Sequence, residues 1–187
     1  MTQLPLFRLR LPVGIKSIEL ELTLEEYAEA IRCALKRHQR AIEKHRKGGN
    51  HQAPERSLAD HQIGCLGERA NLKYKGLPLS VMDFYPDDLR AQTHGAKPAD
   101  IGNVEVRAHR KKGKYLLIQD YDPRDRFYVS ASADIGDRRV TLCGWIHGTV
   151  ATAGGRSGPW WSDGPHHGGR WCYWYPDENL EPMSSCP

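Results

Sequence analysis

Asp100, Glu105 and Arg107 are the residues of this chain whose types and spacing best suit chemistry, two carboxylates five positions apart with a cation two positions beyond. They lie within residues 97–109, KPADIGNVEVRAH, which reads as a turn leading into a β-strand. Side chains alternate along a strand, so Val104, Val106 and Ala108 can face a core while Glu105, Arg107 and His109 face away from it. Carboxylate oxygens converging there suit magnesium or manganese, and a basic neighbour suits a phosphate. An edge strand with an ordinary solvated charged face produces the same letters, so the pattern needs its surroundings.

Those surroundings begin with a strand over residues 16–22, where Ile18, Leu20 and Leu22 alternate with Glu19 and Glu21. Thr23 and Glu26 then have capping-box spacing, and Tyr27, Ile31, Leu35, His38 and Ile42 recur at helical intervals up to Gly48 and Gly49. After a polar loop the spacing predicts a second helix from near Ser57, with Asp60 at the capping-box position, to Gly76. It directs Ile63, Leu66 and Ala70 inward and Glu68 toward one edge, where a lone glutamate is ordinarily just solvated. Gly64 and Gly67 cost about 1 kcal/mol each relative to alanine in a helix, which close approach to a sheet would offset.

Beyond a turn-rich stretch at residues 85–88, four strands are expected over 104–109, 115–120, 127–132 and 139–146. Their short connections suit antiparallel meanders within a mixed sheet. The run Tyr115, Leu116, Leu117, Ile118 is apolar on both faces, as in a central strand covered by helices. From residue 149 onward the chain turns rich in Gly, Pro and Trp, with a long loop over 154–169 and a last strand over 170–175. Its tryptophans, Trp160, Trp161, Trp171 and Trp174, read as the lid of a core in preference to a base-stacking platform.

At 187 residues the expectation is one α/β domain of mixed α+β character. An N-terminal strand–helix extension covers about residues 1–50, and an aromatic, Gly/Pro-rich extension covers about 149–187. A hydrophobic share of 39% and a charged share of 27%, with no membrane-length apolar run and no signal-peptide pattern, point to a cytoplasmic protein without a membrane partner. Five scattered cysteines with no CxxC pair argue against a disulfide framework or a cysteine zinc site. The formal charge of +4 permits a nucleic-acid partner. Its first cationic cluster, from Arg32 to Lys47, reads as a solvated helix face. The second, containing Arg107, Arg110, Lys111, Lys112 and Lys114, follows the carboxylates, where a polyanionic substrate would approach.

A helix carrying Glu68, then Asp100, then the Glu105-Val106-Arg107 strand, then Gly144-Trp145-Ile146-His147-Gly148 resembles the PD-(D/E)XK nuclease superfamily over roughly residues 57–148. The likeness is to small bacterial and phage members, with EVR in place of EVK. It implies a restriction-endonuclease-like fold, a central mixed β-sheet flanked by helices. It also implies a Mg- or Mn-dependent deoxyribonuclease hydrolysing phosphodiester bonds, or an inactive relative that binds nucleic acid or a host protein. On that resemblance Asp100 bridges the metal, although Ala99 precedes it where the signature often has proline. Glu105, the Val106 backbone carbonyl and Glu68 complete the ligands, and Arg110, Lys111, Lys112 and Lys114 contact the substrate. A homodimer is the assembly implied, since two strands must be cut. Arg107 is the departure from the pattern. Arginine stays protonated, so it can orient phosphate or stabilise charge but cannot assist the attacking water as a lysine of depressed pKa can.

Other constellations rank lower. His166 and His167 beside Asp163 are adjacent in a glycine-rich stretch and do not share a face for zinc. His147 reads as structural, and Gln119 as either a polar orienting residue or a solvated strand end. Ser130 and Ser132 have no evident His/Asp context for nucleophilic catalysis.

Overall fold

The computed structural model describes residues 16–48, 54–77, 102–110, 115–155, 161–162 and 172–187, with residues 44–48, 54–57 and 161–162 described as backbone only. The elements are β1 (Ile18–Glu21), α1 (Leu24–Gly48), α2 (Pro54–Tyr74), β2 (Val104–Arg110), β3 (Tyr115–Gln119), β4 (Phe127–Ala133), β5 (Arg139–His147), α3 (Gly148–Ala151), β6 (Trp161–Ser162) and β7 (Cys172–Pro176). Short 3-10 turns at Asp177–Asn179 and Met183–Ser185 end the chain. No helix among the described residues is long and apolar enough to cross a membrane.

Local signals account for the helices. The Thr23 backbone N–H donates to Glu26 Oε2 at 2.7 Å and the Glu26 N–H to Thr23 Oγ1 at 3.1 Å, so the capping box closes in both directions and starts α1. Burial would raise the Glu26 carboxyl, but hydrogen bonds from Lys73 and Thr23 and the charge of Arg69 outweigh it and hold the group below its ordinary value. α2 begins at Pro54, earlier than the expected start near Ser57, because proline suits the first turn of a helix, where its missing N–H has no intrahelical partner. Among the described side chains of α1, Ala30, Cys33 and Ala34 are buried, while Leu35 is exposed.

The mixed sheet is present with the order β1-β5-β4-β2, in which β5 pairs antiparallel with β1 and β4 while β2 runs parallel to β4. The expected antiparallel meander is therefore broken at β2. A parallel pair needs a crossover, and β3 supplies it by leaving for a second sheet of order β3-β7-β6. The central strand covered on both faces is accordingly β4, and β3 is an end strand whose Leu116 and Ile118 are buried while Tyr115 is exposed.

Three layers result. Residues of α1 and α2 pack with Val104, Val106, Val129, Ala131, Val140 and Leu142 on one face of the first sheet. On the other face Tyr128 and Ile146 pack against Leu116, Ile118 and Tyr173 of the second sheet. Among the described residues, helices thus cover one face of the mixed sheet and a second sheet covers the other. In the tail Tyr173 is buried and Trp174 lies edge-on to Tyr115 at 6.2 Å between ring centroids, while Trp160, Trp171 and the Trp161 side chain lie outside the described residues.

Gly67 lets α2 lie close on the sheet, since a Cβ there would sit 2.8 Å from Ala108 Cβ and 3.1 Å from Ala131 Cβ, whereas one at Gly64 would meet nothing within 4 Å. Opposite effects follow. Gly64→Ala is expected to stabilise by up to about 1 kcal/mol through helix propensity, and Gly67→Ala to destabilise by about 1–2 kcal/mol because overpacking exceeds that gain. Urea unfolding of the two variants measures both signs.

Candidate functional site

β2 presents its alternating face to the seam between the two sheets. Val104, Val106 and Ala108 point at α2, so Glu105, Arg107 and His109 point the other way. Each of the three meets an opposite charge there. Glu105 is almost wholly buried, 1% exposed, and is clasped by Arg126. Arg107 pairs with Asp122 at 2.7 Å and lies over the Tyr128 ring, 5.9 Å from its centroid. Asp122 also accepts the Gln119 backbone N–H at 2.9 Å, which fixes the β3–β4 connection against β2. Burial, then the nearby Asp122 carboxylate, pushes the Tyr128 phenol well above its ordinary range.

The third rung is a cluster drawn from four elements. His109 Nε2 lies 3.1 Å from Asp177 Oδ2 and 3.2 Å from Ser130 Oγ, and the Ser130 hydroxyl donates to Asp177 Oδ1 at 2.8 Å. His109 Nδ1 donates to the Arg110 carbonyl at 2.9 Å. Cys143 completes the group, its thiol within 4.8 Å of the histidine nitrogen and the carboxylate. Cys143 is there because of a β-bulge. The register runs Ser130↔Gly144 and then Ala131↔Leu142, which leaves Cys143 as the extra residue and turns it to the side of Ser130. The bulge also switches the phase of β5, so Val140 and Leu142 face the helices before it and Trp145 does so after it.

Burial would lower the His109 pKa, but hydrogen bonds to Asp177, Cys143 and the Arg110 carbonyl raise it to about 10. A raised folded-state value means that stabilisation is fully present below the unfolded histidine value of about 6.5 and is lost as pH rises through about 10. In metal-free buffer the stability gap between the unmodified protein and Asp177→Asn should therefore be widest in mildly acid solution just below pH 6.5, and close as pH approaches 10. Urea unfolding of both proteins across that range measures it, and a gap independent of pH would remove the ion pair as its cause.

Of the sequence-derived site residues, Asp100, Lys111, Lys112 and Lys114 lie outside the described residues, as do His166, His167 and Asp163. Glu68 is on α2 but turned to α1, where Arg37 donates to both its carboxylate oxygens at 2.6 and 2.7 Å. Glu68 and Glu105 therefore lie on opposite sides of β2. Arg37, counted in the solvated basic helix face, belongs to this interhelical pair. Arg110 ends β2 exposed, and Arg32, Lys36 and Arg40 are exposed along α1 with Glu29 and Glu43 among them. His147 is structural. Its ring packs edge-on against Phe127 and its Nδ1 accepts from Thr149 at the start of α3.

Of the carboxylates that the resemblance implies as ligands, Glu68 is held by Arg37 and Glu105 by Arg126. Sequence reasoning missed the Ser130 context altogether, since its partners His109 and Asp177 come from strands and turns remote in the chain. The signal that could have found it is the pair of serines inside an otherwise apolar strand, which is buried at every position after Phe127. The chain matches no family model, no curated protein and no solved structure.

Proposed function

We propose that this chain is a DNA-binding module related to the restriction-endonuclease-like proteins, in which the EVR strand holds the fold together and does not carry magnesium-dependent hydrolysis. The observation that supports this reading is the charge ladder on β2. Glu105, Arg107 and His109 meet Arg126, Asp122 and Asp177, so a divalent ion at Glu105 would have to displace a buried arginine.

The partner follows from the basic segment that continues β2. Arg110 is exposed at the end of β2 and runs directly into Lys111, Lys112 and Lys114, a segment that contains no acid. Such a segment suits the phosphate backbone, which binds by releasing counterions and is read without base specificity. The +4 balance of the chain favours the same partner.

Fluorescence anisotropy with duplex DNA across a salt series tests this, each neutralised phosphate adding about 0.9 to the slope of log affinity against log salt. Binding should weaken steeply with salt, and replacing Arg110, Lys111, Lys112 and Lys114 together by alanine should flatten the slope. Incubation with magnesium or manganese should leave the DNA intact. Metal-dependent cleavage abolished by Asp100→Ala would restore the nuclease reading, and salt-independent or absent binding would exclude DNA as the partner.

A further inference from the structure

The geometry points to a zinc site formed by His109 Nε2, the Cys143 thiolate and a carboxylate oxygen of Asp177, at the seam between the two sheets. Its three donor residues are separate from the basic side chains, and it stands whether or not the chain binds DNA.

The donor atoms lie within 4.8 Å of one another. Tetrahedral zinc, with bonds of about 2.0–2.3 Å, places its donors roughly 3.3–3.8 Å apart. His109 Nε2 and Asp177 Oδ2, at 3.1 Å, already approach that spacing, so only the cysteine side chain has to draw in. The donor types select the metal. Imidazole and thiolate beside one carboxylate suit zinc, whereas magnesium and calcium take oxygen sets.

The outer contacts are those a metal site requires. The Nδ1–H of His109 is held by the Arg110 carbonyl at 2.9 Å, which fixes the ring with Nε2 toward the ion. The Ser130 hydroxyl donates to Asp177 Oδ1 at 2.8 Å, which orients the carboxylate and leaves Oδ2 toward the ion. The bulge in β5 supplies the third donor by turning Cys143 out of the regular alternation. Entry is open, since the side chains of His109 and Asp177 keep 17% and 18% of their surface exposed. Three protein donors leave a fourth position for water, as in zinc sites that bind a ligand.

The donors join β2 and β5 of the first sheet to the turn that follows β7 of the second, so the bound ion clamps the two layers together. Any ion that binds only the folded chain also stabilises it, by RT ln(1 + c/Kd) at free-ion concentration c.

The test uses the full chain, stripped with chelator and titrated with cobalt(II) as a spectroscopic substitute and then zinc. One cobalt per chain should bind with a thiolate-to-metal charge-transfer absorption that zinc abolishes. Cys143→Ser should remove that absorption, and His109→Gln and Asp177→Asn should each weaken binding by about tenfold or more. Cys172→Ser and the double change His166→Ala/His167→Ala should leave it intact. In the unmutated protein zinc should also protect Cys143 from alkylation, read by mass spectrometry, which keeps the test independent of whether any variant folds. Absence of the absorption, its survival in Cys143→Ser, its loss in the His166/His167 variant, or unprotected Cys143 would each overturn the site.

Discussion

Glu105→Ala is expected to lower the unfolding free energy by about 3–5 kcal/mol, the usual cost of removing one partner from a buried ion pair. Glu105 is 1% exposed and the Arg126 side chain that holds it only 10% exposed, so the substitution takes a carboxylate away from a guanidinium in a region of low dielectric. Arg126 cannot shed its charge, because an arginine does not deprotonate in a protein. The penalty belongs to the buried cation that loses this carboxylate and not to the carboxylate alone. Replacing both partners, Glu105→Leu with Arg126→Met, should therefore recover most of the loss, since an ion pair and a well-packed apolar pair of similar volume are often close in stability. Urea unfolding of the two single variants and the double variant measures the coupling. A catalytic Glu105 predicts the reverse, with Glu105→Ala costing less than about 1 kcal/mol of stability while abolishing a metal-dependent activity. The experiment thus separates a strand built for structure from a strand built for magnesium.

The elements themselves were readable in the sequence, because their signals are local. Thr23 and Glu26 are three residues apart and report the start of α1 directly, and the period-two patterns of β1 and β2 report which side chains share a face. Partner choice was not readable. Nothing in residues 104–133 distinguishes an antiparallel meander from a parallel β2–β4 pair with β3 in another sheet, since alternation records the buried face and not the neighbour. The same gap hid the ion pairs. Asp122 and Arg126 stand in a charged, proline-bearing stretch that reads as solvated turn, yet they fold back onto Arg107 and Glu105. The bulge was hidden for another reason. Residues 139–147 alternate smoothly if read without interruption, and only a glycine inside a strand, Gly144, hints that the phase changes beside Cys143. The mixed sheet could thus be anticipated, while the cluster of His109, Ser130, Cys143 and Asp177 depends on long-range pairing.

Gly144→Ala should be among the more damaging single-methyl additions in the chain, costing about 2–4 kcal/mol through backbone strain and overpacking together. Its φ of +149° is one that side chains rarely adopt, and a Cβ there would lie 2.7 Å from the Glu181 carbonyl oxygen and 2.7 Å from Leu180 Cβ. Neither obstacle is the end of a flexible side chain, so relief requires movement of the backbone. The piece that can move is the C-terminal segment. It is held to β5 by the Trp145 N–H donating to Glu181 O at 3.0 Å, the Glu181 N–H donating to Trp145 O at 2.8 Å, and the Trp145 indole donating to Pro182 O at 3.0 Å. Hydrogen exchange should accordingly quicken at the Trp145 and Glu181 amides in the variant while the α2 amides stay protected. Asp177 lies only a few residues upstream of this segment, so displacing it should also loosen the contact with His109 and weaken metal binding at that cluster. Unchanged exchange at Glu181 would show that the chain absorbs the methyl group within β5, and would separate the bulge from the anchoring of the C-terminus.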